Sequence, residues 1–373
     1  MPIYNLITLM KGMDSMKRII CLFICILIVS MPFTVKADSE LNSASDDISL
    51  NIWNVKSEEI HPEIRFIGNL IRIIMPSMNE SFFKLANAFM DNIGLPDLTH
   101  DITCEEVFVQ REDGTQLRLC VYTPKEKKED VPGLLWIHGG GYGLGCPEQD
   151  FSFIQSFIDA TGCVIVAPDY TNSTTAPYPA AFNDCYAALL WLRNNGEKYG
   201  MDENRIFVGG NSAGGGLCAA VTLKARDTGD VNIAFQMPLY PMLDDRMTTE
   251  SMQGNDAPIW NEKSNVNAWK LYLGDDYATD NVSKYAAPAR ETDYSSLPPT
   301  LIFIGTVDPF YDETLIYVEN LKNAGVDVRF MTLDGCFHGF DLLSYSTPAK
   351  QAREFLVEGF VFASENYSAP QSN

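Results

Sequence analysis

Residues 206–215 read Ile-Phe-Val-Gly-Gly-Asn-Ser-Ala-Gly-Gly. The apolar run 206–208 is strand-like, and a helical pattern follows over residues 215–226. Between them lies Gly210-Asn211-Ser212-Ala213-Gly214. A strand that breaks through such a pentapeptide into a helix is the setting of a nucleophile elbow. Small flanking residues there permit a strained turn that exposes the serine hydroxyl. The competing reading is a phosphate loop at a helix start. A phosphate loop ends in Gly-Lys-Ser/Thr, and that ending is missing here.

Working outward, short apolar runs recur at residues 134–137, 164–167, 234–239 and 301–304. Each suits a strand buried on both faces. Helix signals lie between them. Pro179 opens one carrying Phe182, Cys185, Leu189 and Leu192. Asp312 and Glu313 occupy the first turn of another, with Leu315, Val318 and Leu321, and Gly325 stops it. Residues 326–333 form a further strand-like run, and Thr347-Pro348 opens the last helix as cap and first helical residue. This alternation predicts an α/β fold with a mostly parallel sheet.

Upstream, residues 107–121 read as a β-hairpin turning at Asp113-Gly114. Before it come two helical stripes, Ile64, Ile67, Ile71 and Ile74 after His61-Pro62, then Phe82, Leu85, Phe89 and Met90. Two amphipathic helices cannot bury their apolar faces alone, so they must dock on something larger. Residues 244–276 break the β/α rhythm. They are polar, rich in Met and Asn, and helix-like only over 266–273. We read them as an insertion on the carboxyl-end side of the sheet, where ligands bind.

A serine hydroxyl is a weak nucleophile and needs an adjacent base. The chain has four histidines, His61, His100, His138 and His338. The first two precede the α/β core and read as surface or packing positions. His338 sits in Gly335-Cys336-Phe337-His338-Gly339-Phe340, just after the strand-like run 326–333. The orienting acid must follow the run 301–304, and Gly305-Thr306-Val307-Asp308-Pro309 places Asp308 there. Asp312 is the rival, but an acid one turn into a helix is commonly a dipole partner. The chain order is then Ser…Asp…His. His138-Gly139-Gly140-Gly141 closes the run 134–137. Acyl transfer creates an oxyanion, and side-chain-free glycines let backbone amides approach it. We assign Gly140, Gly141 and Ala213 as the donors, with His138 structural.

These pieces resemble the hormone-sensitive lipase-like, bacterial family IV, carboxylesterases of the α/β-hydrolase superfamily. The resemblance rests on residues 138–141, 210–215, Tyr178-Pro179-Ala180-Ala181, Asp308-Pro309 with Asp312-Glu313, and Phe337-His338-Gly339-Phe340. It spans nearly all of residues 105–365. It implies a carboxylic ester hydrolase with Ser212, Asp308 and His338 as its triad. It also implies a helical cap drawn from N-terminal helices and an insertion, here residues 57–95 and 244–276. There are two departures. The family often has Asp where this chain has Asn211. After Asp169-Tyr170 the family often reads Arg-Leu-Ala-Pro-Glu, and this chain reads Thr171-Asn172-Ser173-Thr174-Thr175.

The 373 residues hold 27 Lys+Arg against 49 Asp+Glu, a net charge of −22. That surplus argues against nucleic acid or anionic lipid bound through a basic surface. The chain is 46% hydrophobic and 20% charged, so it is not mostly disordered. Lys17-Arg18, the apolar run 19–29 and Val35-Lys36-Ala37 have the layout of a secretory signal peptide cleaved after Ala37. Residues 1–15 precede its basic region and suit an upstream start. The rival is an uncleaved membrane anchor, for which eleven apolar residues are short against the ~20 that a bilayer span needs. The expected organisation is thus a leader 1–37, an N-terminal segment with cap helices 38–100, and a hydrolase domain 101–373. The expected location is periplasmic or extracellular, without stable membrane insertion after cleavage.

Of the seven cysteines beyond Ala37, Cys163, Cys185 and Cys218 read as small buried hydrophobes. Cys104 and Cys120 lie in adjacent strand-like runs, while Cys146 and Cys336 fall near the catalytic motifs. The expected reaction is cleavage of small or short-chain acyl esters through an acyl-enzyme, with no metal or organic cofactor. The rivals are an exported deacetylase of acetylated polysaccharides or natural products, and a binding module that kept the fold but lost catalysis.

Overall fold

The computed structural model describes residues 54–90 and 101–371. The expected leader, residues 38–53 and His100 lie outside the described residues. In chain order the elements are helices α1 (Pro62–Ile74) and α2 (Glu80–Met90), strands β1 (Ile102–Gln110), β2 (Gln116–Pro124) and β3 (Val131–Ile137), then α3 (Phe151–Thr161), β4 (Val164–Pro168) and α4 (Ala180–Asn195). They continue as β5 (Met201–Asn211), α5 (Ala213–Thr228), β6 (Phe235–Leu239), α6 (Glu262–Leu273), β7 (Thr300–Gly305), α7 (Tyr311–Asn323), β8 (Val328–Leu333) and α8 (Thr347–Asn366).

The strands form one eight-stranded sheet in the order β1-β2-β4-β3-β5-β6-β7-β8. β2 runs antiparallel to both its neighbours, and the remaining pairs are parallel. The apolar runs of the sequence are buried because helices cover both sheet faces. On one face α3 and α8 meet the sheet, with Trp136 against Phe153 and Phe157, and Phe207 against Phe360. On the other, α5 and α7 share a core of Ala219, Leu223, Tyr317, Val318 and Leu321 with Ile302 of β7.

Three local readings shift. α5 begins at Ala213, two residues before the helical pattern, because Ser212 itself is the turn residue that caps it. The cap of α8 is Ser346, whose side chain accepts from the Ala349 amide, so Pro348 stands at the second helical position. α1 and α2 form as expected, but their buried lines run through Ile64, Gly68 and Arg72 and through Phe83 and Ala86. Leu85 is exposed, and Ile67 and Ile71 are only half-buried. Partners decide this. Gly68 lies against Phe337 and Pro258, and Phe83 packs on Gly143.

Both N-terminal helices dock on the segment between β6 and β7. The Met78 amide donates to Ser264 Oγ, and the Asn261 and Asn267 side chains donate to the carbonyls of Pro76 and Met78. Asp256 accepts from the Asn54 and Val55 amides and faces the buried Arg72 guanidinium. This layer stands over the carboxyl ends of the strands.

Candidate active site

In the parallel pairing of β3 with β5, Ile137 is opposite Gly210. The loops leaving these strands therefore emerge side by side, one starting at His138 and the other at Ser212. The approach is close enough that a Cβ on Gly214 would collide with the Ile137 carbonyl. Ser212 turns the chain at φ 56° and ψ −121°, a strained conformation for a residue with a side chain. The surrounding glycines make that turn possible and lift the hydroxyl above the sheet edge.

His338 reaches this hydroxyl from the loop after β8. Its Nε2 lies 2.8 Å from Ser212 Oγ, and its Nδ1 lies 2.7 Å from Asp308 Oδ2. A carboxylate only accepts, so Nδ1 carries the proton and Nε2 is left to accept from the serine. The other Asp308 oxygen accepts from the Phe310 amide at 2.9 Å. The three residues are 8%, 4% and 1% exposed in the order serine, histidine, aspartate, so the line of hydrogen bonds is shielded and open only at the nucleophile. Phe310 and Tyr240 set ring edges against His338 at 5.0 and 5.1 Å between centroids, which fixes the imidazole plane.

The rivals are placed elsewhere. Asp312 accepts from the Ser251 amide at 2.8 Å and ties α7 to the insertion. His138 stacks on Tyr170 at 4.1 Å, and its Nδ1 bonds the Gly139 carbonyl. Burial pushes its pKa down to about 4, so it is neutral and packed, not poised as a base. His61 caps α1. The thiols of Cys104, Cys120, Cys146, Cys163, Cys185, Cys218 and Cys336 are all free. Cys163, Cys185 and Cys218 are buried, as their apolar settings in the sequence predict. Among the described residues no group of three His, Cys, Asp or Glu is arranged to hold a metal ion.

Gly140 and Gly141 take φ values of 127° and 58°, which glycine adopts freely. Among the described residues neither amide donates to a backbone acceptor. The Ala213 amide stands at the first position of α5, among the unpaired donors of a helix start. Asn211 also finds a physical reason. Its side-chain amide eases the charge of the buried Asp150, which accepts from the Trp136 indole at 2.9 Å and whose pKa burial pushes up to about 7. A second carboxylate at position 211 would face Asp150 directly. The unusual loop 171–175 is organised by Asp184, which accepts from the Thr171 amide and hydroxyl and pairs with Arg111.

Sequence reading missed the residues that brace the glycine loop from above. Asn87 of α2 donates to the Gly143 carbonyl at 2.9 Å and accepts from the Gly145 amide at 3.1 Å. Trp260, from the insertion, lies so close over Gly141 that a Cβ there would strike its ring. Neither belongs to a motif. Only the helical cap implied by the resemblance, and the reading of residues 244–276 as an insertion on the ligand-binding side of the sheet, pointed toward them.

The fold has counterparts among known proteins. Residues 134–342 match a family described as having the alpha/beta hydrolase fold. Carboxylesterase NlhH of Mycobacterium tuberculosis is 30% identical over 257 residues, which cover 68% of this chain and 80% of that protein. Esterase LipI of the same species is 31% identical over 233 residues, covering 62% of this chain and 72% of the relative. A solved bacterial heroin esterase superposes with a TM-score of 0.75 at 34% identity, covering 82% of this chain and 98% of its own. The chain belongs to the α/β-hydrolase family and, within it, to the hormone-sensitive lipase-like carboxylesterases.

Proposed function

We propose that this carboxylesterase cleaves small or short-chain acyl esters through an acyl-enzyme on Ser212. His338 Nε2 takes the hydroxyl proton as Oγ attacks the ester carbonyl, and then gives it to the leaving alcohol. Water repeats the cycle on the acyl-enzyme. Asp308 holds the imidazole with Nδ1 protonated and stabilises its charged form. The amides of Gly140, Gly141 and Ala213 receive the oxyanion, a role worth about 10²–10³ in rate for each donor. The observation that carries this reading is the continuous hydrogen-bond line from Ser212 Oγ through His338 to Asp308.

The test is Ser212→Ala assayed beside the parent on aryl esters and acetylated glycans. We expect turnover to vanish while the far-UV spectrum and melting temperature persist, because the substitution removes only one small hydroxyl. Retained hydrolysis in the purified variant would remove Ser212 from the mechanism. Preference for acetylated glycan would move the reading to a deacetylase with the same triad. We also propose export, supported by the basic, apolar and small-residue layout of residues 17–37. Amino-terminal sequencing of protein recovered outside the cytoplasm should begin at Asp38.

A further inference from the structure

Trp260 sits where the insertion, the glycine loop and the catalytic histidine converge. Its benzo edge covers Gly141, and its ring centroid is 6.2 Å from that of His338. The side chain is 3% exposed. Phe83 of α2 stacks on it at 6.4 Å with the planes 20° apart, and the indole N–H donates to the buried Asn265 Oδ1 at 3.2 Å.

The backbone that delivers the ring is strained. Ile259 has φ 66°, a region that a β-branched residue rarely enters. The Trp260 amide donates to the Pro258 carbonyl at 2.8 Å across it. This is a γ-turn of the uncommon, strained hand. Such strain persists only where the surroundings over-determine it, and it gathers at functional sites. Here the clamps are visible. Pro258 lies beside Gly68 of α1, the Ile259 side chain packs on Gly339, and Asp256 is held by the Asn54 and Val55 amides.

We propose that Trp260 is a specificity-determining wall that limits the bulk of the ester's leaving alcohol. The inference rests on the serine mechanism above. In that mechanism the leaving oxygen must lie against His338 Nε2 while the carbonyl oxygen lies under the Gly140-Gly141 amides. A ring that touches Gly141 and stands beside His338 therefore borders the leaving group. Compact alcohols fit beneath it. Bulky ones meet an indole that cannot swing away without breaking the Phe83 stack and the Asn265 bond.

The experiment compares the parent, Trp260→Ala and Trp260→Leu on ethyl, benzyl and menthyl acetates by acid release. A parallel acyl series uses p-nitrophenyl acetate, butyrate and octanoate. Pocket size typically discriminates one methylene by about 10–200-fold, so the menthyl-to-ethyl ratio of kcat/KM should rise by about tenfold or more in Trp260→Ala and less in Trp260→Leu. The octanoate-to-acetate ratio should move less. An unchanged menthyl-to-ethyl ratio in a variant that still labels fully with a fluorophosphonate would overturn the wall. So would a change confined to the acyl series. If the alanine variant fails to fold, the leucine variant decides by the same ratio. Failure of the parent itself to label or to cleave any ester would instead overturn the serine mechanism, and the wall with it.

Discussion

Asp308 and Asp312 stand four residues apart, both acidic and both after β7, yet their surroundings divide their work. Asp308 spends one oxygen on His338 and the other on the Phe310 amide. Asp312 spends its carboxylate on the Ser251 amide, outside the hydrogen-bond line of the site. Asp308→Asn presents an amide that favours the wrong imidazole tautomer, so kcat should fall by about 10⁴ while folding is kept. Asp312→Asn keeps an oxygen for Ser251, and its kcat should stay within about threefold of the parent, since a retained neutral hydrogen bond changes little. Steady-state kinetics on one aryl acetate checks both, and equal losses would void the assignment. At this scale the line from Ser212 through His338 to Asp308 was legible because each member follows a strand end, where side chains emerge over the sheet. Trp260 was not. Its place depends on Asp256 meeting Asn54 and Val55, far away along the chain, and no local pattern encodes that meeting.

Among the elements, α2 links the outer layer to the chemistry. Asn87 bonds Gly143, Gly145 and Thr174, so one side chain ties this helix to the glycine loop and to the loop after β4. Asn87→Ala removes all three bonds. Each neutral bond contributes about 1 kcal/mol, so the melting temperature should drop by a few degrees. If α2 also holds the oxyanion amides in place, kcat should fall by about tenfold or more with KM little changed, since the loss is felt mostly in the transition state. A lowered melting temperature with parental kcat would make Asn87 structural only. The strand and helix order was legible from apolar runs and breakers, as the β5-to-α5 turn shows. The buried faces of α1 and α2 were not. Apolar stripes mark what can be buried, while the docking partners Gly143, Phe337 and Pro258 decide which line is.

For the whole molecule, buried titratable groups set how stability follows pH. Burial raises the pKa of Asp150 to about 7, raises that of Asp341, and raises that of Glu313 well above the ordinary carboxylate value. Glu313 is held by the Leu243 and Asp244 amides and lies near the charges of Asp244 and Asp308. A carboxyl with a raised folded pKa binds its proton more tightly when folded, so it favours the fold at low pH. That contribution is lost as the pH climbs through the folded pKa. His138 works the other way. Its pKa of about 4 means that the unfolded chain binds the extra proton, so stability rises with pH until the ordinary histidine range is passed. Below about pH 6.5 these contributions oppose one another, because the unfolded histidine still titrates there. Above it His138 contributes no further change, while the last part of Asp150 still titrates. The chain's net charge of −22 adds a general self-repulsion that acts in the same direction. Stability should therefore fall from pH 6.5 to 9. Asp150→Asn reproduces the protonated carboxyl and keeps an oxygen for the Trp136 indole, so its melting temperature should fall less over that span than the parent's. Calorimetry or circular dichroism melts at pH 6.5, 7.5 and 9 measure the difference. Parallel curves for parent and variant would mean that Asp150 does not govern the alkaline decline.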